Sequence, residues 1–229
     1  MKTISRRQFL NISASLSLSY PLSVVFASSE GNKLDESDLF PITIAVLESA
    51  FRSEKLAWEH YGGYSRKAIE EKYPNLAYLF TAFAVSEKTH ADNYKRILTS
   101  LSAGLEEPQF DILILDTKAN LINASKNELE KIRRTYPAFL AKLKKESHDQ
   151  AVISFMYSWK SHRQHKRKIS EIQKYSKMFF GPVARKIEGM KFDFYVCEIC
   201  GSTIDEAPKT PCDICTYPMM HYRKVKRPA

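Results

Sequence analysis

NLAYLFTAFAVSEKTHADNYKRIL, residues 75–98, puts apolar side chains and two candidate ligands on one stripe. Leu76, Phe80, Phe83, Glu87, His90, Tyr94 and Ile97 recur at spacings of three and four, and the run continues to Leu101. That is the period of a helix with one buried face. Pro74 suits its first turn and Gly104 its end. Glu87 and His90 lie on the buried face. A charge there is costly unless it is paired or ligates a metal, so the helix implies partners on other helices.

Three further segments supply the same pattern. From Pro41, with Asp38 as a cap before it, to about Lys72, Leu47, Phe51, Glu54, Trp58 and Tyr61 share a face, and Gly62-Gly63 is expected to bend or loosen the far end. LEEPQFDI, residues 105–112, reads as an irregular connection long enough to cross the end of a bundle. A third helix is expected from about Ile112 to Lys145, with Leu121, Ala124, Glu128 and Thr135 near one face and Pro137 marking a kink or restart. A fourth is expected from about His148 to Lys177. On it Phe155, Ser158, His162, His165, Ile169 and Ile172 face inward, while Lys160, Arg163, Gln164, Lys166, Arg167 and Glu171 point elsewhere. The basic run KSHRQHKRK, residues 160–168, is therefore the solvated back of a helix whose two histidines face the core. Four such helices make an antiparallel bundle over residues 28–177.

The ends of the chain differ from this middle. Residues 1–27 combine a positive start, the stretch SRRQFL, a modestly apolar run and a small-residue ending at Ala27. They read as a signal peptide that resembles the twin-arginine export type. The expected location is the periplasm, with no stable membrane span after cleavage and a membrane anchor if the signal is retained. Without Lys2, Arg6 and Arg7 the formal charge falls from +9 to +6. That excess supports weak attraction to anionic surfaces without indicating nucleic-acid binding. Export and the inward histidines argue against a nucleic-acid partner.

After a linker at residues 178–190 the chain turns β-like and holds all four of its cysteines. Cys197, Cys200, Cys212 and Cys215 form two Cys-x-x-Cys pairs separated by eleven residues. Two such turns complete a tetrahedral thiolate cage for iron or zinc. Two disulfides are the alternative in an oxidising compartment.

YVCEICGSTIDEAPKTPCDICTYPMMHYRKV, residues 195–225, resembles the rubredoxin-like tail of rubrerythrins, in which four thiolates hold one iron that passes electrons. The likeness extends upstream over about residues 44–224. It implies a mainly α fold, a ferritin-like four-helix bundle followed by a small β-rich rubredoxin-like domain over residues 191–229. By this resemblance Glu54, Glu87, His90, Glu128 and His165 match bundle metal ligands, and Tyr61 and Tyr136 match tyrosines beside the metals. Two positions depart from the pattern: Lys131 stands where the family has a glutamate, and His162 replaces a bridging glutamate. A neutral imidazole offers one lone pair and bridges poorly. The expected bundle content is therefore one or two ions of iron or another divalent metal.

The resemblance also implies a non-haem iron oxidoreductase that reduces hydrogen peroxide, fed by an unidentified electron-donor protein, in a head-to-tail homodimer where one tail serves the other bundle. The competing expectation is a metal-binding or electron-transfer protein with an altered bundle site and no peroxide turnover.

Overall fold

A computed structural model describes residues 39–176 and 180–229; the leader read over residues 1–27 lies outside them. The long helices are α1 (Pro41–Glu70), α2 (Pro74–Ser100), α3 (Thr117–Glu130) and α5 (Asp149–Ser176), with α4 (Tyr136–Leu143) continuing the line of α3. Helices α1 and α2 pack along their length. Two apolar clusters fill the bundle. One gathers Tyr61, Leu76, Phe80, Phe83, Leu121 and Ile169, the other Leu47, Phe51, Tyr94, Leu98, Tyr136 and Phe155. The candidate ligands lie between them along the helices: Glu54 between Phe51 and Tyr61, Glu87 between Phe83 and Tyr94. Each fully buried Leu or Phe contributes about 1.5–3 kcal/mol, which offsets the desolvation of a polar layer in the middle.

Glutamates from neighbouring elements hold the helix starts. Glu146 accepts from the backbone N–H groups of Ile42 (2.8 Å) and Thr43 (2.7 Å) at the start of α1. Glu71 accepts from Thr117 N at the start of α3. These carboxylates satisfy donors that a helix leaves free and complement its positive end.

Three expectations are corrected. Helix α1 runs unbroken through Gly62-Gly63. A Cβ on Gly63 would lie 2.3 Å from Ile114 Cδ1, so the bare glycine lets the crossing connection lie close against the helix. Helix α3 starts at Thr117 rather than Ile112. The Asn120 side chain accepts from Leu115 N (3.0 Å) and donates to Leu115 O (2.7 Å), which occupies that residue's backbone groups, and Asp116, in extended conformation, then caps the helix through Ala119 N (2.8 Å). Within the segment read as a linker, residues 180–188 form helix α6 (Phe180–Glu188), and Glu188 accepts from Asn75 N (2.7 Å) and Leu76 N (3.2 Å) at the start of α2.

That anchored helix leads into a three-stranded antiparallel sheet, β1 (Tyr195–Cys197), β2 (Thr203–Ile204) and β3 (Tyr222–Lys224), in the order β2-β1-β3. Tyr195 pairs with Ile204 on one side and Lys224 on the other. The buried Tyr78 of α2 accepts from Phe194 N (3.1 Å) and donates to Val225 O (2.8 Å), so the sheet is tied to the bundle. The described residues fall within one compact unit.

Between α3 and α4, residues Lys131–Thr135 form a π-helical turn in which Tyr136 N–H reaches back to Lys131 O. The helical partner of Ile132 O is thereby spent, and the next candidate, Pro137, has no N–H. The Trp159 indole on α5 fills that gap, donating to Ile132 O at 3.0 Å. The wide turn matters for the site. Five residues apart in a regular helix, Lys131 and Tyr136 would diverge by about 140°; here both reach the same carboxylate.

Trp159→Phe keeps most of the apolar packing but removes the indole donor. It is expected to lower stability by about 1–3 kcal/mol, read by urea or thermal unfolding, and to loosen the placement of Lys131 and Tyr136.

Candidate metal centres

Glu54 comes from α1, Glu87 and His90 from α2, Glu128 from α3, and His162 and His165 from α5. All six are at most 2% exposed. They form two overlapping groups with ligand atoms within 4.8 Å of one another: Glu54, Glu87, His90 and His162 in one, Glu87, Glu128, His162 and His165 in the other. The sequence spacing thus converges on one layer. Glu130 does not join it but pairs with Arg134 on the surface.

Lys131 turns inward. Its Nζ lies 2.6 Å from Glu54 Oε2 and 3.8 Å from Glu87 Oε2. Tyr136 donates to Glu54 Oε1 at 2.7 Å, and Tyr61 donates to Glu128 Oε1 at 2.6 Å. Because the Tyr136 proton is spent on Glu54, Tyr94 donates to Tyr136 across their 3.0 Å contact. Both sequence-predicted tyrosines therefore orient carboxylates, and Tyr94 extends the network.

Burial opposes every charge in this layer, and the opposite charges overcome it. Burial works against the His162 imidazolium, but Glu87, Glu128 and Glu54 outweigh it and push its pKa up to about 10. Burial would raise Glu128, yet His162 and His165 hold it below the usual carboxylate range. Desolvation likewise opposes the Lys131 ammonium, while Glu54 and Glu87 hold it above the usual lysine range. His90, dominated by burial, is lowered.

Two polar atoms in the layer lack a hydrogen-bond partner: Glu87 Oε1 and His165 Nδ1, 3.3 Å apart. Both belong to the second group and face Glu128 and His162. A carboxylate oxygen and an imidazole nitrogen without hydrogen-bond partners, meeting in a buried cluster, fit a divalent cation.

The four cysteines are buried and close around one point. Cys197 and Cys215 sulfurs are 3.7 Å apart, and Cys200 and Cys212 sulfurs 3.5 Å. Tetrahedral metal–sulfur bonds of about 2.3 Å give edges of about 3.8 Å, whereas a disulfide needs about 2.05 Å. The spacing fits a cage and rules out the paired-disulfide alternative for this arrangement. Ser202 N–H and the Tyr222 hydroxyl point at Cys200 and Cys212 sulfurs (3.5 and 3.3 Å). The neighbouring Cys197 and Cys212 sulfurs, together with burial, push the Cys200 thiol above its ordinary range, a penalty that a cation among them reverses.

The loop at residues 199–203 joins the two centres. His90 Nδ1 is 3.0 Å from Glu87 Oε2, and its Nε2 is 3.2 Å from Cys200 O. Gly201 O accepts from Ser86 (2.6 Å) and Ser161 (2.9 Å). Thr203 Oγ1 donates to Gly201 O at 3.2 Å, so it accepts from His165 Nε2–H at 3.3 Å and leaves Nδ1 free as a ligand. Asn93 and Gln164 add bonds to Ile199 O and Thr203 N. Gly201 has φ +75°, and a Cβ there would sit 2.3 Å from His90 Nε2. Within this chain the tail docks on its own bundle, with Glu188 of α6 bound to the start of α2 and the sheet tied to Tyr78. The docking residues Ser86, Ser161, Gln164 and Thr203 were not singled out from sequence. The available signal was a serine immediately before each ligand motif, Ser86-Glu87 and Ser161-His162.

A family model described as rubrerythrin matches residues 45–173. The chain is 27% identical over 180 residues to Rubrerythrin-2 of Clostridium acetobutylicum, covering 76% of this chain and 91% of that one. It is 25% identical over 178 residues to nigerythrin of Nitratidesulfovibrio vulgaris, covering 77% and 83%. Among solved structures it is similar in fold to fully reduced, all-ferrous nigerythrin, with a TM-score of 0.68, 23% identity, and coverage of 80% of this chain and 86% of that one. It is also similar in fold to the bacterioferritin of Desulfovibrio desulfuricans, with a TM-score of 0.62, 19% identity, and coverage of 68% and 91%.

After chelation, the His162 imidazolium stabilises the fold fully below its ordinary value of 6.5, and that contribution is lost as pH rises through about 10. The thermal midpoint of chelated protein is therefore expected to fall over that window. A cation taken through Nδ1 of His162 and His165, both raised by the surrounding carboxylates, displaces their protons, so loading at pH 7 should release about one to two protons per bundle ion, measured with an indicator dye in weak buffer.

Proposed function

Because the chain belongs to the rubrerythrin family, a family of non-haem iron oxidoreductases, we propose that it reduces hydrogen peroxide in the bundle with electrons relayed from the four-cysteine iron. The observation that supports this reading best is the position of His90. One ring nitrogen faces the carboxylates and the other meets the carbonyl of a cysteine in the thiolate cage, 3.2 Å away. A single imidazole therefore spans both donor sets within one chain.

Iron held by Cys197, Cys200, Cys212 and Cys215, and iron or another divalent metal held in the bundle, would supply the electron exchange. The protein's own groups do the rest. Tyr61 and Tyr136 fix the carboxylates of Glu128 and Glu54 through their hydroxyl protons. The two apolar clusters on either side exclude water from the layer. Lys131, 9% exposed, is the most exposed member of this layer. Reduction of one peroxide to two waters consumes two electrons and two protons. The chain is also proposed to be exported, on the Arg6-Arg7 leader reading, and to pair with a second copy; cell fractionation and sedimentation test these two points.

A second reading is favoured by the ion pair between Lys131 and Glu54. It ties up one carboxylate and suits an electron carrier or metal-binding protein without peroxide turnover.

Anaerobically reduced, iron-loaded protein mixed with peroxide separates the two. Reoxidation of both centres within turnover time supports peroxide reduction; a reduced four-cysteine iron that ignores peroxide refutes it in favour of the second reading. Gly201→Ala keeps all ten candidate ligands but forces the loop off His90. It is expected to slow reoxidation of the thiolate-held iron by about an order of magnitude or more while preserving its ferric-thiolate absorption.

A further inference from the structure

The bundle layer is asymmetric in a way that bears on how many ions it takes. In the group formed by Glu54, Glu87, His90 and His162, both oxygens of Glu54 and one of Glu87 are already engaged. Glu54 Oε2 receives Lys131 Nζ at 2.6 Å, Glu54 Oε1 receives Tyr136 at 2.7 Å, and Glu87 Oε2 meets His90 Nδ1 at 3.0 Å. In the group formed by Glu87, Glu128, His162 and His165, two buried atoms have no hydrogen-bond partner, Glu87 Oε1 and His165 Nδ1. Glu87 is shared by both groups, but its open oxygen lies 3.3 Å from His165 Nδ1, which belongs to the second group alone, so the open pair of atoms lies on that side.

We propose that the Lys131 ammonium is the resident cation of the first group, and that the bundle binds a single divalent ion, at Glu87, Glu128, His162 and His165. Charge argues the same way. The layer holds three carboxylates, Glu54, Glu87 and Glu128. One ammonium and one divalent ion neutralise them when the imidazoles are neutral; a second divalent ion would leave two positive charges buried without counterions. The tautomers also agree. Thr203 takes the Nε2 proton of His165, and Tyr136 lies 3.3 Å from His162 Nε2 as an acceptor for that ring. Each imidazole then turns Nδ1, with its one lone pair, toward the second group. His162 so engaged has no lone pair left to serve a second ion. Lys131 reaches the first group because the π-helical turn starts at it and carries Tyr136 to the same carboxylate. The mixed nitrogen and oxygen donors suit Fe(II), Mn(II), Co(II) or Zn(II).

This inference rests on the rubrerythrin-type reading of the bundle as a metal site, but not on peroxide reduction. The test counts ions rather than turnover. Full-length protein is loaded anaerobically with Mn(II), and ions are counted by mass spectrometry of the native chain and located by anomalous diffraction. One bundle ion and the electron paramagnetic resonance of an isolated Mn(II) are expected. Two bundle ions, a spin-coupled Mn pair, or no bundle ion at all overturns the proposal without using any variant. Lys131→Glu is expected to raise bundle stoichiometry from one to two and to produce the coupled signal; a folded Lys131→Glu protein that still takes one ion overturns the assignment to Lys131. Peroxide inertness in a protein with one bundle ion would refute the proposed activity and leave this inference standing, whereas peroxide turnover by a wild-type protein with two bundle ions would do the reverse.

Discussion

Three carboxylates buried in the centre of a helical bundle are the constraint on which the rest depends. Glu54, Glu87 and Glu128 are each at most 2% exposed. Ionised groups so far from water are tolerable only when cations and hydrogen-bond donors surround them. Every unusual local feature nearby serves that need. The π-helical turn aims Lys131 and Tyr136 at Glu54, Tyr61 serves Glu128, and α5 supplies two imidazoles. The apolar clusters above and below provide the stability that lets the layer exist.

The second organising element is the loop at residues 199–203. Its carbonyls are bound by side chains of α2 and α5 that sit one residue before, or three after, the bundle ligands. The four-cysteine unit and the bundle site therefore share His90, which meets Cys200 O, and His165, which meets Thr203 Oγ1. Moving the tail necessarily disturbs His90 and His165, and reorienting those rings disturbs the tail. This gives the two donor sets a direct structural connection through a few ångströms of protein, with Gly201 as the point where no side chain fits.

Much of this was readable beforehand, for definite reasons. The helical period placed Glu54, Glu87, His90, Glu128, His162 and His165 on buried faces, because a helix repeats every 3.6 residues whatever it packs against. The departure at Lys131 and His162 was also visible. What the period could not show was the direction of Lys131. Its inward turn depends on a change of helical pitch at residues 131–135, set by Pro137 and by an indole from a helix twenty-seven residues further on. The late start of α3 and the helix within the linker were hidden in the same way. Asn120 and Glu188 act through bonds to backbone that no local propensity describes.

The sequence by itself determined the elements, the inward faces and the two donor sets, since amphipathic spacing and the Cys-x-x-Cys pairs are local properties of the chain. Only the tertiary structure decided which half of the bundle layer is already neutralised, and that the tail meets its own bundle through Cys200, Gly201 and Thr203. Those outcomes come from distances between groups far apart in the chain, where one ammonium or one carbonyl satisfies whichever charge or ring folding brings within about 3 Å.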